Sequence, residues 1–187
     1  MKIGVISDTH GSVKCFEKAI DLLGKVDKYI HLGDYLYHGP RNPLPEDYDP
    51  KKLAEIMKKY NISYISGNCD SPVDNYVLEI PEFKYYSVES YGDFSFFYTH
   101  GYSPSLKDAI EMAVDKECHF LFHGHTHVSG VHEKEDIVIV NPGSTSLPKE
   151  NTPKSCCLIE LVKNKVIIKL INLDNGEFYF SKEYYEK

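Results

Sequence analysis

Five short stretches of the sequence each end in side chains of the kind that ligate metal ions. They are Asp8 with His10, Asp34, Asn68, His100, and His125 with His127. Two Asp, one Asn and four His give seven donors, more than a single tetrahedral ion uses. Two ions sharing one carboxylate would use them well. Asp34 is the natural bridge, since its oxygens can go to different ions. Two divalent ions bring about +4 against about −2 from Asp8 and Asp34, so the set would attract anions. Ions ~3.5–4 Å apart can activate a water and stabilise an attacked phosphoryl group. No stretch decides this alone. Asp8-Thr9-His10 by itself reads as an Asx-bonded turn, and Gly33-Asp34 is weaker still. Gly124-His125-Thr126-His127 is stronger, because paired histidines at a strand end rarely serve packing.

The donors need elements to position them. The apolar run Ile3 to Ile6 predicts a buried strand running into Asp8. Val13, Phe16, Ile20 and Leu23 have helical spacing, and Gly24 is placed to stop that helix. Tyr29 to Leu32 predicts a second strand, ending at Gly33-Asp34. The loop Tyr35 to Asp49 carries Pro40, Pro43 and Pro45, and a structureless loop of that length is usually functional. Asp49 and Pro50 form an N-cap and N1 pair. The helix they open is expected to bury Leu53, Ile56, Met57 and Tyr60. Ile62 to Ser66 predicts a third strand before Gly67-Asn68.

Tyr85 to Tyr91, a Gly92-Asp93 turn and Phe94 to Thr99 predict a hairpin that delivers His100. Ser105 and Asp108 resemble a capping box for a helix to about Glu117. His119 to His123 predicts the strand before the paired histidines. Strands follow at Val131-His132, Ile137 to Val140, Cys156 to Val162, Val166 to Leu173 and Phe178 to Phe180, with turns at Asn164-Lys165 and Asn175-Gly176. Two face-to-face sheets with helices outside would bury all of these elements. Ligands of α/β sheets bind beyond the carboxyl ends of the strands, where all seven donors lie.

At 187 residues the chain predicts one domain, residues 1–187, on a prior of ~150 residues per domain. A net charge of −7 argues against a nucleic-acid partner, which calls for a basic face. Cys15, Cys69, Cys118, Cys156 and Cys157 are scattered and form no CxxC. A charge at Asp8 comes too soon for a signal peptide, and no apolar run approaches the ~18 residues of a membrane span. The expectation is a reduced, cytoplasmic protein with no membrane partner.

Taken together, Asp8-Thr9-His10, Gly33-Asp34, Gly67-Asn68-Cys69-Asp70, His100 and Gly124-His125-Thr126-His127 resemble the blocks of the calcineurin-like metallophosphoesterase superfamily over residues 3–148. His38-Gly39-Pro40-Arg41-Asn42, Gly67 to Ser71 and Asn141-Pro142-Gly143-Ser144 are similar to its bacterial YfcE-type phosphodiesterase subgroup. The resemblance implies an α/β fold with mixed sheets in a four-layer α-β-β-α sandwich. It also implies a dinuclear site at the strand ends. Asp8, His10, Asp34 and His127 would hold one ion, and Asp34, Asn68, His100 and His125 the other. Nitrogen and oxygen donors without a thiolate allow Mn, Fe, Co, Zn or Ni, and the resemblance favours Mn. The implied reaction is hydrolysis of a small phosphodiester by a hydroxide held between two divalent ions, with Asp34, Asn68 and His100 in the catalytic set. The alternatives are a phosphomonoesterase on the same site, or a non-catalytic partner-binding module, as in a retromer subunit of this fold. Related proteins self-associate, which leaves a homo-oligomer open.

One position departs from the superfamily pattern. Cys69 stands where a histidine usually contacts the phosphate, and a neutral thiol is a poor substitute for an imidazole acid. Cys69, His38 and Arg41 are the candidate substrate contacts, Arg41 through its planar fork. His31 reads as a satisfied core residue or a support to the ligands, and His123 as core or wall. His119 and His132 read as structural or exposed. Asp70 reads either as an orienting partner of a ligand or as a helix cap.

Overall fold

The computed structural model describes residues 1–134 and 136–186. In chain order the first half holds β1 (Lys2–Ile6), α1 (Val13–Leu23), β2 (Lys28–His31), α2 (Pro50–Met57), β3 (Ile62–Tyr64), α3 (Pro72–Leu78), β4 (Tyr86–Tyr91) and β5 (Phe94–Thr99). Then come α4 (Leu106–Asp115), β6 (Phe120–Phe122), β7 (Gly130–Lys134), β8 (Ile137–Asn141), β9 (Ser155–Val162), β10 (Lys165–Asn172) and β11 (Phe178–Tyr185). One sheet has the order β11-β10-β9-β1-β2-β3, and the other β4-β5-β6-β8-β7. β1, β2 and β3 are parallel, as are β5, β6 and β8. All six therefore send their carboxyl ends the same way within their own sheet.

Side-chain alternation builds the layers. In β5, Phe96 and Tyr98 face the other sheet, while Phe97 faces α4 with Leu121 and Ile139. Ile3 and Val5 of β1 meet Phe96, Phe120 and Phe122 between the sheets. Phe96 and Phe120 stack with centroids 4.9 Å apart, worth about 0.5–1.5 kcal/mol beyond the area they bury. On the outer face of the first sheet, α1 buries Phe16, Ile20 and Leu23 against Ile6, Tyr29 and Leu158. The four layers expected from the sequence are present.

Several boundaries differ from expectation. Tyr60 lies past the end of α2 and is 36% exposed rather than buried. Its ring meets the edges of Phe16 and Tyr29 from outside. The third strand stops at Tyr64, because the chain turns in at Gly67 toward the donors. β11 runs to Tyr185, well beyond Phe180; it is an edge strand whose polar, exposed residues hide the pattern. The turn before β10 is Lys163-Asn164, with Lys163 at φ +48°. Helix α3 was not anticipated. Its Ser71 and Asp74 form a reciprocal capping box with Pro72 at the first turn. Among the described residues no helix is long and apolar enough to cross a membrane.

Candidate metal centre

The loops leaving β1 and β2 are bonded to each other where the first donors lie. The Asp8 N–H donates to the Gly33 carbonyl (3.1 Å) and the His10 N–H to the Asp34 carbonyl (3.0 Å). From the other side, Ser144 and Ser146 hydroxyls donate to the Asp8 carbonyl (2.7 and 3.2 Å). This gives the Asn141 to Ser144 block its role: it braces Asp8. Five of the seven donor residues, Asp8, His10, Asp34, His125 and His127, have left-handed φ between 48° and 67°. Such backbone is uncommon outside glycine and costs of order 1–3 kcal/mol per residue. The surrounding bonds hold it. Neighbouring glycines make room for the carboxylates. A Cβ on Gly67 would sit 2.2 Å from Asp34 Oδ1, and one on Gly124 would sit 2.7 Å from Asp8 Oδ2.

Donor atoms of Asp8, His10, Asp34 and His127 all lie within 4.8 Å of one another, and all four residues are buried. His10 Nδ1 bonds the Tyr37 carbonyl (2.8 Å), His127 Nδ1 the Leu147 carbonyl (2.5 Å) and His100 Nδ1 the Leu32 carbonyl (2.8 Å). A carbonyl only accepts, so each Nδ1 carries hydrogen and each neutral imidazole turns a bare Nε2 inward. His10 Nε2 and His127 Nε2 are then two lone pairs 3.1 Å apart. Asp8 Oδ1, 3.2 Å from His127 Nε2, is buried with no hydrogen-bond partner. Acceptors gathered without donors fit a cation, and nitrogen and oxygen donors fit a divalent one.

Asp34 faces both ways. Its Oδ2 is 3.7 Å from His10 Nε2, while its Oδ1 is 3.5 Å from His100 Nε2. His100 Nε2 is also 3.2 Å from Asn68 Oδ1. The Asn68 amide donates to Cys69 Sγ (3.2 Å), which turns its oxygen toward His100. The half-buried His125 ring lies 5.1 Å from the His100 ring, and the His125 backbone N–H donates to Asp8 Oδ2 (3.1 Å). A cleft of about 310 Å³ opens onto this second half, bordered by Arg41, Cys69, His125, His127 and Lys149.

Residues 1–164 match the sequence profile of the calcineurin-like phosphoesterase superfamily domain. The chain belongs to the calcineurin-like phosphoesterase superfamily. Phosphodiesterase YfcE of Escherichia coli K12 is 34% identical over 166 residues, covering 86% of this chain and 88% of that protein. The structure of the E. coli phosphoesterase YfcE superposes with a TM-score of 0.85 at 30% identity, covering 97% of this chain and 98% of that one. Vps29 of Cryptosporidium parvum, at 23% identity and a TM-score of 0.69, covers 99% of this chain and 98% of its own; it shares the fold.

The electrostatics suit a phosphoesterase centre. Burial alone would raise the Asp8 pKa, but the adjacent His127 side chain and the positive charge that His100, His127 and His10 can carry bring it well below the usual carboxylate range. Burial likewise opposes Asp34 ionisation, and the His100 hydrogen bond and charge win, so its pKa is lowered. Burial depresses His10 and His125. His100 goes the other way. Burial would lower it, yet the Asp34 hydrogen bond and the charges of Asp8, Asp34 and Asp70 raise it to about 9. In the metal-free protein this proton contributes stability that is full below the unfolded value of 6.5 and lost as pH rises through about 9. A cation bound through His100 Nε2 would displace it. Metal affinity is therefore expected to rise about tenfold per pH unit up to about pH 9, then flatten. Calorimetric titration with Mn in buffers of different ionisation heat should count one released proton. Affinity that is flat from neutral pH upward would contradict the assignment.

Asp70 resolves as a positioning residue. Its carboxylate accepts from the Asp34, Tyr35 and Gly67 N–H groups at 2.7–2.8 Å, tying the Asp34 turn to the Asn68 turn. The cap of α3 is Ser71 instead. Burial and the Asp34 charge raise the Asp70 pKa to about 7. Asp70→Asn would set an amide NH₂ among three N–H donors. We expect it to cost about 1–3 kcal/mol of stability and ~10–100-fold in metal affinity. Thermal melts and metal titration of the variant read the two effects separately.

The remaining candidates sort by contact. His31 Nδ1 accepts from the Gly33 N–H (3.2 Å), and its Nε2 meets Thr9 Oγ1 (2.5 Å). Burial lowers its pKa to about 3, so it is a neutral support beneath the turn. His123 is buried, bonds the Gly124 carbonyl and is lowered to about 4. His119 is exposed on Ser95, and His132 is exposed on β7. Arg41 and Cys69 border the cleft. His38 does not: its ring packs on Tyr37 and Tyr48, because Gly39 turns the loop between it and the cleft. Sequence reasoning missed Lys149, which the N–H bond from its backbone to the His127 carbonyl carries to the cleft (3.1 Å).

Proposed function

We propose that residues 1–187 form one metallophosphoesterase domain that hydrolyses small phosphodiesters with two divalent ions, Mn foremost. The observation that carries this reading is the meeting of inward-turned Nε2 lone pairs with Asp8 Oδ1 and the two-faced Asp34, in a chain of this superfamily. Asp8, His10, Asp34 and His127 would hold one ion, and Asp34, Asn68, His100 and His125 the other. When bound, divalent ions activate water and offset charge on phosphoryl oxygens. The chain's residues do the rest. Backbone carbonyls behind three histidines fix which nitrogen faces the centre. Arg41 borders the cleft with a guanidinium fork that suits phosphate oxygens. In the metal-free chain Cys69 presents a neutral thiol, since burial and the Asp34 charge raise its pKa to about 12. No imidazole meets the second charge of a monoester there, which favours the diester. E. coli YfcE, which shares 34% identity, bears the name phosphodiesterase.

Five cysteines without a disulfide support a reducing, cytoplasmic setting. The shared fold with Vps29 supplies a second reading, a partner-binding module, but all seven donor positions are filled here. Turnover of bis(p-nitrophenyl) phosphate and of p-nitrophenyl phosphate, assayed with Mn, Co, Ni, Zn and Fe, tests the proposal. We expect the diester to be the better substrate and Mn to be a strong activator. No turnover with any ion would favour the partner-binding reading.

A further inference from the structure

Helix α3 and the chain that follows it enclose a separate pocket of about 550 Å³. Pro72 and Tyr76 of α3 border it, with Phe83 and Tyr85 ahead of β4. The Phe83 and Tyr85 rings meet edge to face, their centroids 5.3 Å apart. Tyr76 is 85% exposed, so its ring is free to cover an occupant. Among the described residues Asp70 is the one charged group on the border, and three N–H groups already take up its carboxylate. The walls therefore suit a neutral, flat molecule. Asn75 supplies the polar contact. It borders the same pocket and is 8% exposed, and its Oδ1 has no hydrogen-bond partner among the described residues. A buried acceptor left unmet costs free energy that a ligand N–H would return. The amide turns about a soft terminal torsion, so its oxygen can meet a donor in the pocket.

The walls are bonded to the turns that carry the donors. The Lys84 carbonyl takes the Ser66 N–H (2.6 Å), just before Gly67-Asn68. The Tyr85 carbonyl takes the Thr99 hydroxyl (3.1 Å), just before His100. Asp70 ties the Asp34 turn to the same strand end, and of the pocket's border it alone also borders the clefts over the donors. We propose that this pocket binds a neutral planar aromatic molecule carrying an N–H donor, with the N–H on Asn75 and the ring against Tyr76, Phe83 and Tyr85, and that filling it tightens metal binding. The volume lies within the ~300–1,000 Å³ range of small-ligand sites. A ligand that orders these walls leaves less ordering for the metal to impose. The pocket stands independently of the metal-centre reading; its effect on the metal rests on that reading.

Indole is the probe, because its N–H donates and nothing on it accepts. Benzofuran has the same shape without the donor. Calorimetric titration of the metal-free full chain should show indole bound about tenfold more tightly than benzofuran. Asn75→Leu should bring the two to equal affinity. Tyr76→Ala, which leaves the core untouched, should weaken indole about fivefold. Saturating indole should tighten Mn binding about fivefold, and Mn should tighten indole by the same factor. No indole binding, or binding that neither variant alters, would overturn the pocket. A dimer that sedimentation shows to be split by Tyr76→Ala, in a chain that binds no indole, would give the pocket to a second copy and overturn it too. Indole bound as described with Mn affinity unchanged would overturn the effect on the metal and leave the pocket. A chain that takes up no Mn would overturn the metal-centre reading and that effect with it, while indole binding still decides the pocket.

Discussion

Asp34→Asn is expected to lower phosphodiester turnover by more than about a hundredfold and to weaken both metal sites at once. The bound follows by comparison: removing a group that merely supports a ligand costs ~10–100-fold, and Asp34 faces the centre directly. Its two oxygens approach different histidines, Oδ2 toward His10 and Oδ1 toward His100, so one substitution touches both halves. The variant should fold. Asp34 has φ +58°, and Asn is among the few residues that adopt this conformation readily. The amide oxygen can still accept the Cys69 N–H that now bonds Oδ1 (2.8 Å). Metal content after loading with Mn, measured beside bis(p-nitrophenyl) phosphate turnover, decides the matter. Loss of one equivalent only, or turnover within a few-fold of the unaltered chain, would show that Asp34 does not bridge.

The candidate donors stand out in the sequence because each follows an apolar strand and sits beside a glycine that punctuates it. Their left-handed backbone was not, since Asp8, His10 and His127 carry no local sign of positive φ. It comes from long-range bonds such as Asp8 N–H to Gly33 and Ser144 to Asp8. Helix α3 was hidden for another reason. Of its residues only Asn75 and Leu78 are buried, while Val73, Tyr76 and Val77 are exposed, so no apolar stripe marks it. Ser71-Pro72 with Asp74 was the available signal. Asp70 was ambiguous because a carboxylate just before a helix looks like a cap; only its contacts to residues 34–35 and 67 separate the roles. Lys149 is a single residue on a loop. Nothing in its spacing points inward, and a tertiary contact to His127 brings it to the site.

Diesters with acidic leaving groups should react ~10²–10⁴-fold faster than those with alkyl leaving groups, the range that general-acid assistance usually supplies. The reason lies at Cys69. An effective acid titrates near the working pH, whereas a thiol is a weak acid to begin with and in the metal-free chain burial and the Asp34 charge raise this one to about 12. Its proton is poorly placed in energy to meet a departing alkoxide, so the leaving group must depart largely unaided. Nitrophenoxide can do so; a simple alkoxide cannot. The thiol's visible contact is with Asn68, whose amide donates to Sγ at 3.2 Å. Losing that one hydrogen bond costs about 1 kcal/mol. Cys69→Ala should therefore keep turnover of an activated diester within about tenfold, with metal content unchanged. The steep dependence on leaving-group acidity should persist in the variant, because the acid it would have removed is not there. A drop of a hundredfold or more with both ions in place, or alkyl monoesters emerging as the best substrates, would mean that Cys69 takes part in the proton transfer after all.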